Sequence, residues 1–405
     1  MYLSTEKPSK STKGYTVTFH GNGLTFADGT DENMVVYNSA GQIVEGSYKE
    51  AVGTGVAWYS DEARENRVMI SDDGVPQVNL TGDLDLWAKE MTFTLVDGSS
   101  FHNKIPNSAT EVIFTDEVKP KEKEIIDVDA NGDGGVVAWL NDDAGTVMKV
   151  STQIPGMKAQ AAENSSYMFY YKNKLQKIDF KMLDTQDVRN MERMFQGCSD
   201  LKSLDLTPLN TQNVTSMANM FSSCSGLKSL DLAPLNTQNV TSMANMFSSC
   251  VSLTSLDLAS LDTQEVTDMR GMFSSCYRLT SLDLTLLDTQ NVTNMSGMFQ
   301  YCSGLTSLDL SSLNTQNVTS MSYIFYDCSC LTNLDLTHLD TSKVTSMYFL
   351  FYDCSALTSL TTGTTFKFVG IDYSLPGTWQ NTAGETFTSG TFPSNVADTY
   401  TKVSS

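Results

Sequence analysis

With 47 aspartates and glutamates against 26 lysines and arginines, this chain of 405 residues carries a net charge of −21. That excludes a protein that reads nucleic acid through a basic face, or one that docks on anionic lipid. The length allows two or three domains, and no apolar run approaches the roughly 20 residues that span a bilayer, so no membrane insertion is expected.

Residues 1–14 read as a flexible tail without the apolar stretch of a signal peptide. Residues 15–91 predict a β-rich module. Tyr15-Thr16-Val17-Thr18-Phe19 alternates, His20-Gly21-Asn22-Gly23 turns, and Leu84-Asp85-Leu86-Trp87-Ala88-Lys89 closes the unit. The phrase V-T-F-x-x-N-G at 17–23, Ala57-Trp58-Tyr59, and L-x-L-W-A-K at 84–89 resemble the Listeria–Bacteroides repeat, which implies a small β-grasp-like surface module. The insert at 30–53 is longer than that family's short form, and nothing in the module suggests chemistry.

Residues 92–161 form a lead-in segment and N-terminal cap. Within it, Asp127, Asp129, Asn131 and Asp133 read as the first half of a calcium loop, with oxygen donors at alternate positions and Gly132 for the sharp turn. Ala138 stands where a twelfth-position acid would complete the site, so the affinity expected is weak; an Asp- and Gly-rich turn is the competing reading. No cofactor is required by anything in the chain.

Residues 162–362 repeat with a period of 26. Cys198, Cys224, Cys250, Cys276, Cys302, Cys328 and Cys354 mark it, as do Phe195, Phe221, Phe247, Phe273, Phe299, Phe325 and Phe351. A period of this size predicts a solenoid in which each unit buries its apolar face against its neighbours. In the copy beginning at Leu201, Leu204-Asp205-Leu206 alternates as a short strand with Asp205 outward. Val214, Met217, Met220, Phe221 and Cys224 follow at the three-or-four spacing of a helix or tight helical turn. Asp184, Asn210, Asn236, Asp262, Asp288, Asn314 and Asp340 stand where they would cap that helix. The seven ladder cysteines are expected to be buried free thiols, and Cys330, at a turn, to be exposed.

The phrase L-D-L-x-x-L-[ND]-T-x-x-V-x-x-M-x-x-M-F-x-x-C-x-x-L, for example at 204–227, resembles the repeat of BspA-type leucine-rich-repeat surface proteins. It occurs in seven copies after a degenerate opening one at 167–180. Leu209 and Thr211 depart from the general leucine-rich pattern. Segments 105–110 and 136–140 resemble that family's lead-in, and Pro376-Gly377-Thr378-Trp379 and 393–402 its closing segment, so 363–405 reads as a C-terminal cap and tail. The fold expected is an α/β leucine-rich-repeat solenoid, one strand and one helical segment per copy, preceded by a β-grasp-like domain. The resemblance implies a non-enzymatic extracellular or cell-surface protein, read as monomeric, that binds a protein or glycan, host-derived ligands included, and takes part in adhesion. It would then be a fragment of a longer surface protein or exported by another route. A passive stalk or coat element is the alternative.

Composition agrees with a chain that is no enzyme: His20, His102 and His338 lie in separate regions, and no nucleophile elbow or phosphate loop occurs. Two surfaces are candidates for binding. The first is an outward column of Asp179, Asp205, Asp231, Asp257, Asp283, Asp309 and Asp335, for which solubility is the plainer explanation. The second follows from deviations between copies, which gather at Tyr277-Arg278, Tyr301, Tyr323, Tyr326, Tyr348 and Tyr352; the last four are the expected contact residues, or else pack on a cap around Trp379.

Overall fold

The computed structural model describes residues 14–38, 40, 42–49, 51, 56–62, 67–68, 70, 74–76 and 78–403; the tail expected at 1–14 lies, but for Gly14, outside them. Two compact units result. The first holds the described residues up to Phe93 together with Asn131–Gly135, and the second holds Thr94–Ala130 and the chain from Val136 onward.

The first unit is a six-stranded sheet of β1 (Tyr15–His20), β2 (Glu32–Tyr37), β3 (Ile43–Glu45), β4 (Val56–Tyr59), β5 (Arg67–Val68) and β6 (Leu84–Glu90), in the order β3-β2-β1-β6-β4-β5. Only the central β1–β6 pair is parallel. Alternation sends Val17, Phe19, Leu86 and Ala88 into a core with Val35, Tyr37 and Trp58, whose indole meets Phe19 edge-on at 5.0 Å. On the opposite face His20 stacks on Trp87 at 5.3 Å and pairs with Glu32 and Asp85. No α-helix occurs among the described residues of this unit.

The second unit begins with α1 (Gly98–Lys104), whose N-cap Asp97 accepts the N–H groups of Ser99 and Ser100 at 3.0 and 3.1 Å. A five-stranded sheet follows, built from β7 (Glu111–Thr115), β8 (Ile126–Asp127), β9 (Val137–Leu140) and β10 (Val147–Ser151), with β12 (Lys177–Asp179) of the opening copy added parallel to β7. β11 (Ala159–Gln160) pairs with β13 (Leu183–Asp184). Aromatic contacts run from Phe101 through Phe114 and Phe180 to Phe195, so one apolar column joins this sheet to the repeats. Lys172 is buried, and its ammonium donates to the Ile105 carbonyl at 2.7 Å and to Asn107 Oδ1 at 3.2 Å.

The copies stack in register. Parallel bridges link Asn164, Asn190, Ser216, Ser242, Asp268, Asn294, Ser320 and Ser346. The phenylalanines lie ring over ring, 5.6 Å apart at Phe195–Phe221 and 6.2 Å at Phe299–Phe325. Each ladder thiol donates to the carbonyl of a phenylalanine in the preceding copy, as Cys224 does to Phe195 at 3.0 Å. All eight cysteines are free; seven are buried and Cys330 is exposed.

Two expectations are corrected. The second half of each copy is a chain of turns and not a helix: α1 is the sole α-helix among the described residues. Every second N–H leaves for the next copy (Met217 to Ser242, Asn219 to Ala244, Phe221 to Met246, Ser223 to Ser248), while those of Met220, Ser222 and Cys224 close four-residue turns by bonding the carbonyl three residues back. Left-handed backbone at Asn219 (φ 57°) and Ser223 (φ 61°), repeated in each copy, permits this pattern and forbids a helix. The strand, too, is displaced. Apart from β12 and β14 (Asn333–Leu336), the Leu-Asp-Leu segments form no strand, and the inter-copy ladder runs instead through Thr215-Ser216-Met217 and its equivalents.

The Asx residues accordingly cap turns and not helices. Asn210 Oδ1 accepts the N–H of Gln212 at 3.1 Å, and Asp262 Oδ1 that of Gln264 at 3.1 Å. Thr211, which departs from the leucine-rich pattern, is buried at 1% exposure and bridges copies: its hydroxyl donates to the Asn236 carbonyl at 2.9 Å and accepts the Asn236 N–H at 2.8 Å. At the far end β14, β15 (Ser359–Thr362), β16 (Trp379–Gln380), β17 (Thr386–Phe387) and β18 (Asp398–Lys402) form a closing sheet in the order β14-β15-β18-β16-β17.

Candidate interaction surface

Repetition makes exposed deviations easy to read. Two positions in each copy are left-handed. The first is held by Tyr167, Arg193, Asn219, Asn245, Gly271, Gly297, Tyr323 and Phe349, with φ between 53° and 64°. Asn and Gly, the residues that adopt this backbone readily, occupy the middle copies; bulky side chains occupy the ends. The second position, four residues on, runs Tyr171, Gly197, Ser223, Ser249, Ser275, Tyr301, Asp327 and Asp353.

The structure brings all four expected tyrosines together. Tyr323 lies 5.9 Å from Tyr326 and 5.6 Å from Tyr348, and Tyr326 stacks on Tyr352 at 4.8 Å. Phe349, which the sequence analysis does not single out, sits among them, 4.0 Å from Tyr348 and 5.1 Å from Tyr352; Tyr301 adds an edge at 5.1 Å from Tyr326. Tyr348 and Tyr352 are each 43% exposed. The signal that could have found Phe349 is its alignment with Asn219 and Gly271, positions that the core does not use. Trp379 makes none of these ring contacts; it is fully buried and donates Nε1–H to the Pro376 carbonyl at 3.1 Å.

Beside the rings stand Asp327 and Asp353, in register because the Asp327 N–H donates to the Tyr352 carbonyl at 2.8 Å. Partial burial, and then the neighbouring Asp353 carboxylate, raise the Asp327 carboxyl above its ordinary range. Burial, and then the Tyr301 hydroxyl, push Tyr326 up.

The tyrosines do not rise only toward the C-terminal end, as the sequence suggests. The opening copy carries Tyr167, Tyr170 and Tyr171, with Tyr170 4.6 Å from Tyr171. There the Arg193 guanidinium lies 5.3 Å from the Tyr167 ring centroid and donates from Nη1 to its hydroxyl at 2.9 Å.

The aspartate column is exposed from Asp205 to Asp335, with Asp179 half-buried. Each carboxylate has a structural task. Asp205 accepts the Thr207 N–H at 3.0 Å, and Asp179, Asp231, Asp257, Asp283, Asp309 and Asp335 likewise accept the N–H two residues on. Hydrogen bonds from Thr207 lower Asp205, and those from Thr285 and Ser311 lower Asp283 and Asp309. Asp179 and Asp205 line one open depression, and Asp257 and Asp283 another.

Asp127 and Asp129 fall in the second unit, and Asn131 and Asp133 in the first. Asp127 Oδ1 accepts the Asp129 N–H at 3.1 Å. Asp133 accepts from Thr92 N–H at 2.9 Å, Asn131 Nδ2 at 2.8 Å and Gly135 N–H at 2.8 Å. Among the described residues no group of three or more His, Cys, Asp or Glu is placed to hold a metal ion, and no helix is long and apolar enough to cross a membrane.

None of the curated proteins matches this chain. Among solved structures it is similar to a leucine-rich repeat protein from Bacteroides ovatus, with 19% identity over 64% of this chain and 70% of that one and a TM-score of 0.33. It is similar also to one from Eubacterium ventriosum, at 15% identity, 57% and 84% coverage and a TM-score of 0.27. A leucine rich cell surface protein from Faecalibacterium prausnitzii follows at 15% identity, 62% and 87% coverage and a TM-score of 0.19. Two stretches, 163–282 and 278–365, match the family model described as "Mycoplasma protein of unknown function, DUF285". Together they cover half of the chain, which therefore belongs to the DUF285 family.

Proposed function

We propose that this chain is a capped leucine-rich solenoid of BspA type, displayed outside the cell, that binds a macromolecular partner and performs no catalysis. Stacked copies bury an almost invariant interior of Phe, Met, Leu and Cys and leave a long surface whose side chains are free to vary. The observation that carries the reading is the surface cluster of Tyr348 and Tyr352, exposed, with Tyr323, Tyr326 and Phe349, half-buried, at positions where the middle copies carry Asn, Gly, Ala, Ser, Gln and Arg. Aromatic anchors of this kind carry most of the energy of protein interfaces. The aspartate column would steer a partner and keep the surface soluble. The N-terminal sheet serves as a β-grasp-like spacer of Listeria–Bacteroides type. Calcium at Asp127, Asp129, Asn131 and Asp133 is carried as a weak site only, which calorimetry at millimolar calcium would register.

Screening the full chain on protein and glycan arrays tests the function. A ligand retained by the wild type and lost on replacing the aromatic cluster supports binding. Silence on both arrays favours the passive stalk.

A further inference from the structure

We propose that the aromatic cluster of the last copies, bordered by Asp327 and Asp353, captures a lysine or arginine side chain of a partner protein. The inference rests on the binding role given above and names the chemistry of its ligand.

Backbone conformation supplies the first argument. Tyr323 (φ 62°) and Phe349 (φ 54°) occupy a left-handed position where the middle copies place Asn219, Asn245, Gly271 and Gly297. Bulky side chains are disfavoured there, so folding alone gives no reason for two rings at that place. Inter-copy bonds hold the conformation regardless: Tyr323 N–H donates to the Tyr348 carbonyl at 2.9 Å, and Phe349 N–H to the Asp372 carbonyl at 2.7 Å.

Charge supplies the second. Aromatic faces carry negative potential and attract cations. Two carboxylates flank these faces, and neither forms an ion pair with a lysine, arginine or histidine among the described residues. A cation between rings and carboxylates would offset the charge that Asp327 and Asp353 place close together. The chain's net charge of −21 favours the approach of such a partner and repels an anionic one.

The molecule provides its own precedent at the other end. Tyr167 and Arg193 hold the same left-handed position in the first two copies, and there the guanidinium lies over the ring. In the last copies Phe349 stands where Arg193 would, so the cation must come from outside.

The test uses the full chain and fluorescence anisotropy at physiological ionic strength. The probes are a labelled Lys/Arg–Gly–Ser peptide, a Gly–Ser peptide, a Glu–Gly–Ser peptide and a neutral hexasaccharide. One variant gives the patch the residues of the middle copies: Tyr323→Asn, Tyr326→Ser, Tyr348→Ala, Phe349→Asn and Tyr352→Ser. The second, Asp327→Asn with Asp353→Asn, leaves every ring in place. The cationic peptide alone should bind the wild type, and each variant should weaken it by roughly tenfold or more. Equal binding by wild type and both variants would show diffuse attraction to the acidic chain and overturn the proposal; so would capture of the hexasaccharide, or no binding of the cationic peptide. If an array ligand is lost on replacing the rings while the cationic peptide never binds, the binding surface stands and the cationic class falls.

Discussion

Thr211 tests what couples neighbouring copies. Its buried hydroxyl holds both backbone polar groups of Asn236, donating at 2.9 Å and accepting at 2.8 Å. Thr211→Val keeps the shape and removes both bonds. A net hydrogen bond is worth about 1 kcal/mol, and a stranded buried group costs about 1–3 kcal/mol. Asn236, whose two backbone groups would lose their partner, is itself exposed, so the lower end applies, and the loss should be about 2 kcal/mol. Thr263 makes one such bond among those the structure shows, donating to the Asp288 carbonyl at 2.9 Å. Thr263→Val should therefore cost about half as much, roughly 1 kcal/mol. Serine at either position retains the hydroxyl and loses one buried methyl, again about 1 kcal/mol. The valine-minus-serine difference should then be about 1 kcal/mol at 211 and near zero at 263. Urea denaturation followed by circular dichroism, with an unchanged dependence on denaturant, measures it. Equal losses at the two sites, or valine no worse than serine at 211, would refute the bridging role.

Phe247, stacked between Phe221 at 5.8 Å and Phe273 at 6.0 Å, should lose about 3–5 kcal/mol on Phe247→Ala, read by the same titration; a loss below about 1 kcal/mol would mean that the column does not hold the stack. Native thiol labelling near neutral pH should modify Cys330 alone and denaturation should expose all eight, since burial pushes Cys198, Cys276 and Cys354 up to about 12; rapid native labelling of most thiols would contradict this. Acid should destabilise the fold. Asp97, Asp205, Asp283 and Asp309 have folded pKa values below the unfolded value, so their contribution is present above about pH 4 and is lost as pH falls through the folded values. A melting temperature that stays level or rises between about pH 4 and pH 2 would contradict that sign.

The interior was legible because burial acts on composition directly: Phe, Cys, Met and Leu recur at fixed positions, and those positions are the buried ones. Backbone conformation was less legible. Val214, Met217, Met220, Phe221 and Cys224 have the spacing of a helical stripe, yet four-residue turns that alternate with inter-copy bonds produce the same spacing. What separates the two is the tolerance of one position for Asn and Gly, at Asn219, Asn245, Gly271 and Gly297, which a helix interior would penalise. Leu204-Asp205-Leu206 alternates like a strand, and Leu204 and Leu206 are buried as that alternation predicts, but the inter-copy bridges run through Ser216 and its equivalents instead. Thr211 looked like a departure from the pattern because a hydroxyl bonded across copies leaves no mark in a single copy. At the surface, Tyr323, Tyr326, Tyr348 and Tyr352 were visible as deviations. Phe349 was not singled out; its register with Asn219 and Gly271 is what sets it apart from the core.

The same pattern of inter-copy bonds explains why the outer positions can vary without changing the fold. In each copy the residues that leave the core donate and accept through the main chain, Asn219 to Ala244, Asn245 to Arg270 and Tyr323 to Tyr348. Those bonds fix φ from both sides, so a side chain there meets an imposed conformation and does not create it. A ring at a left-handed position raises the energy of one residue by about 1–3 kcal/mol, a strain that the surrounding bonds over-determine. An architecture of this kind separates the requirements of folding from those of recognition. The interior must repeat, because each copy is its neighbour's core. The outer positions need only leave the main-chain bonds intact, and the end copies are where this chain departs from Asn, Gly and Ser to place Tyr, Phe and Asp.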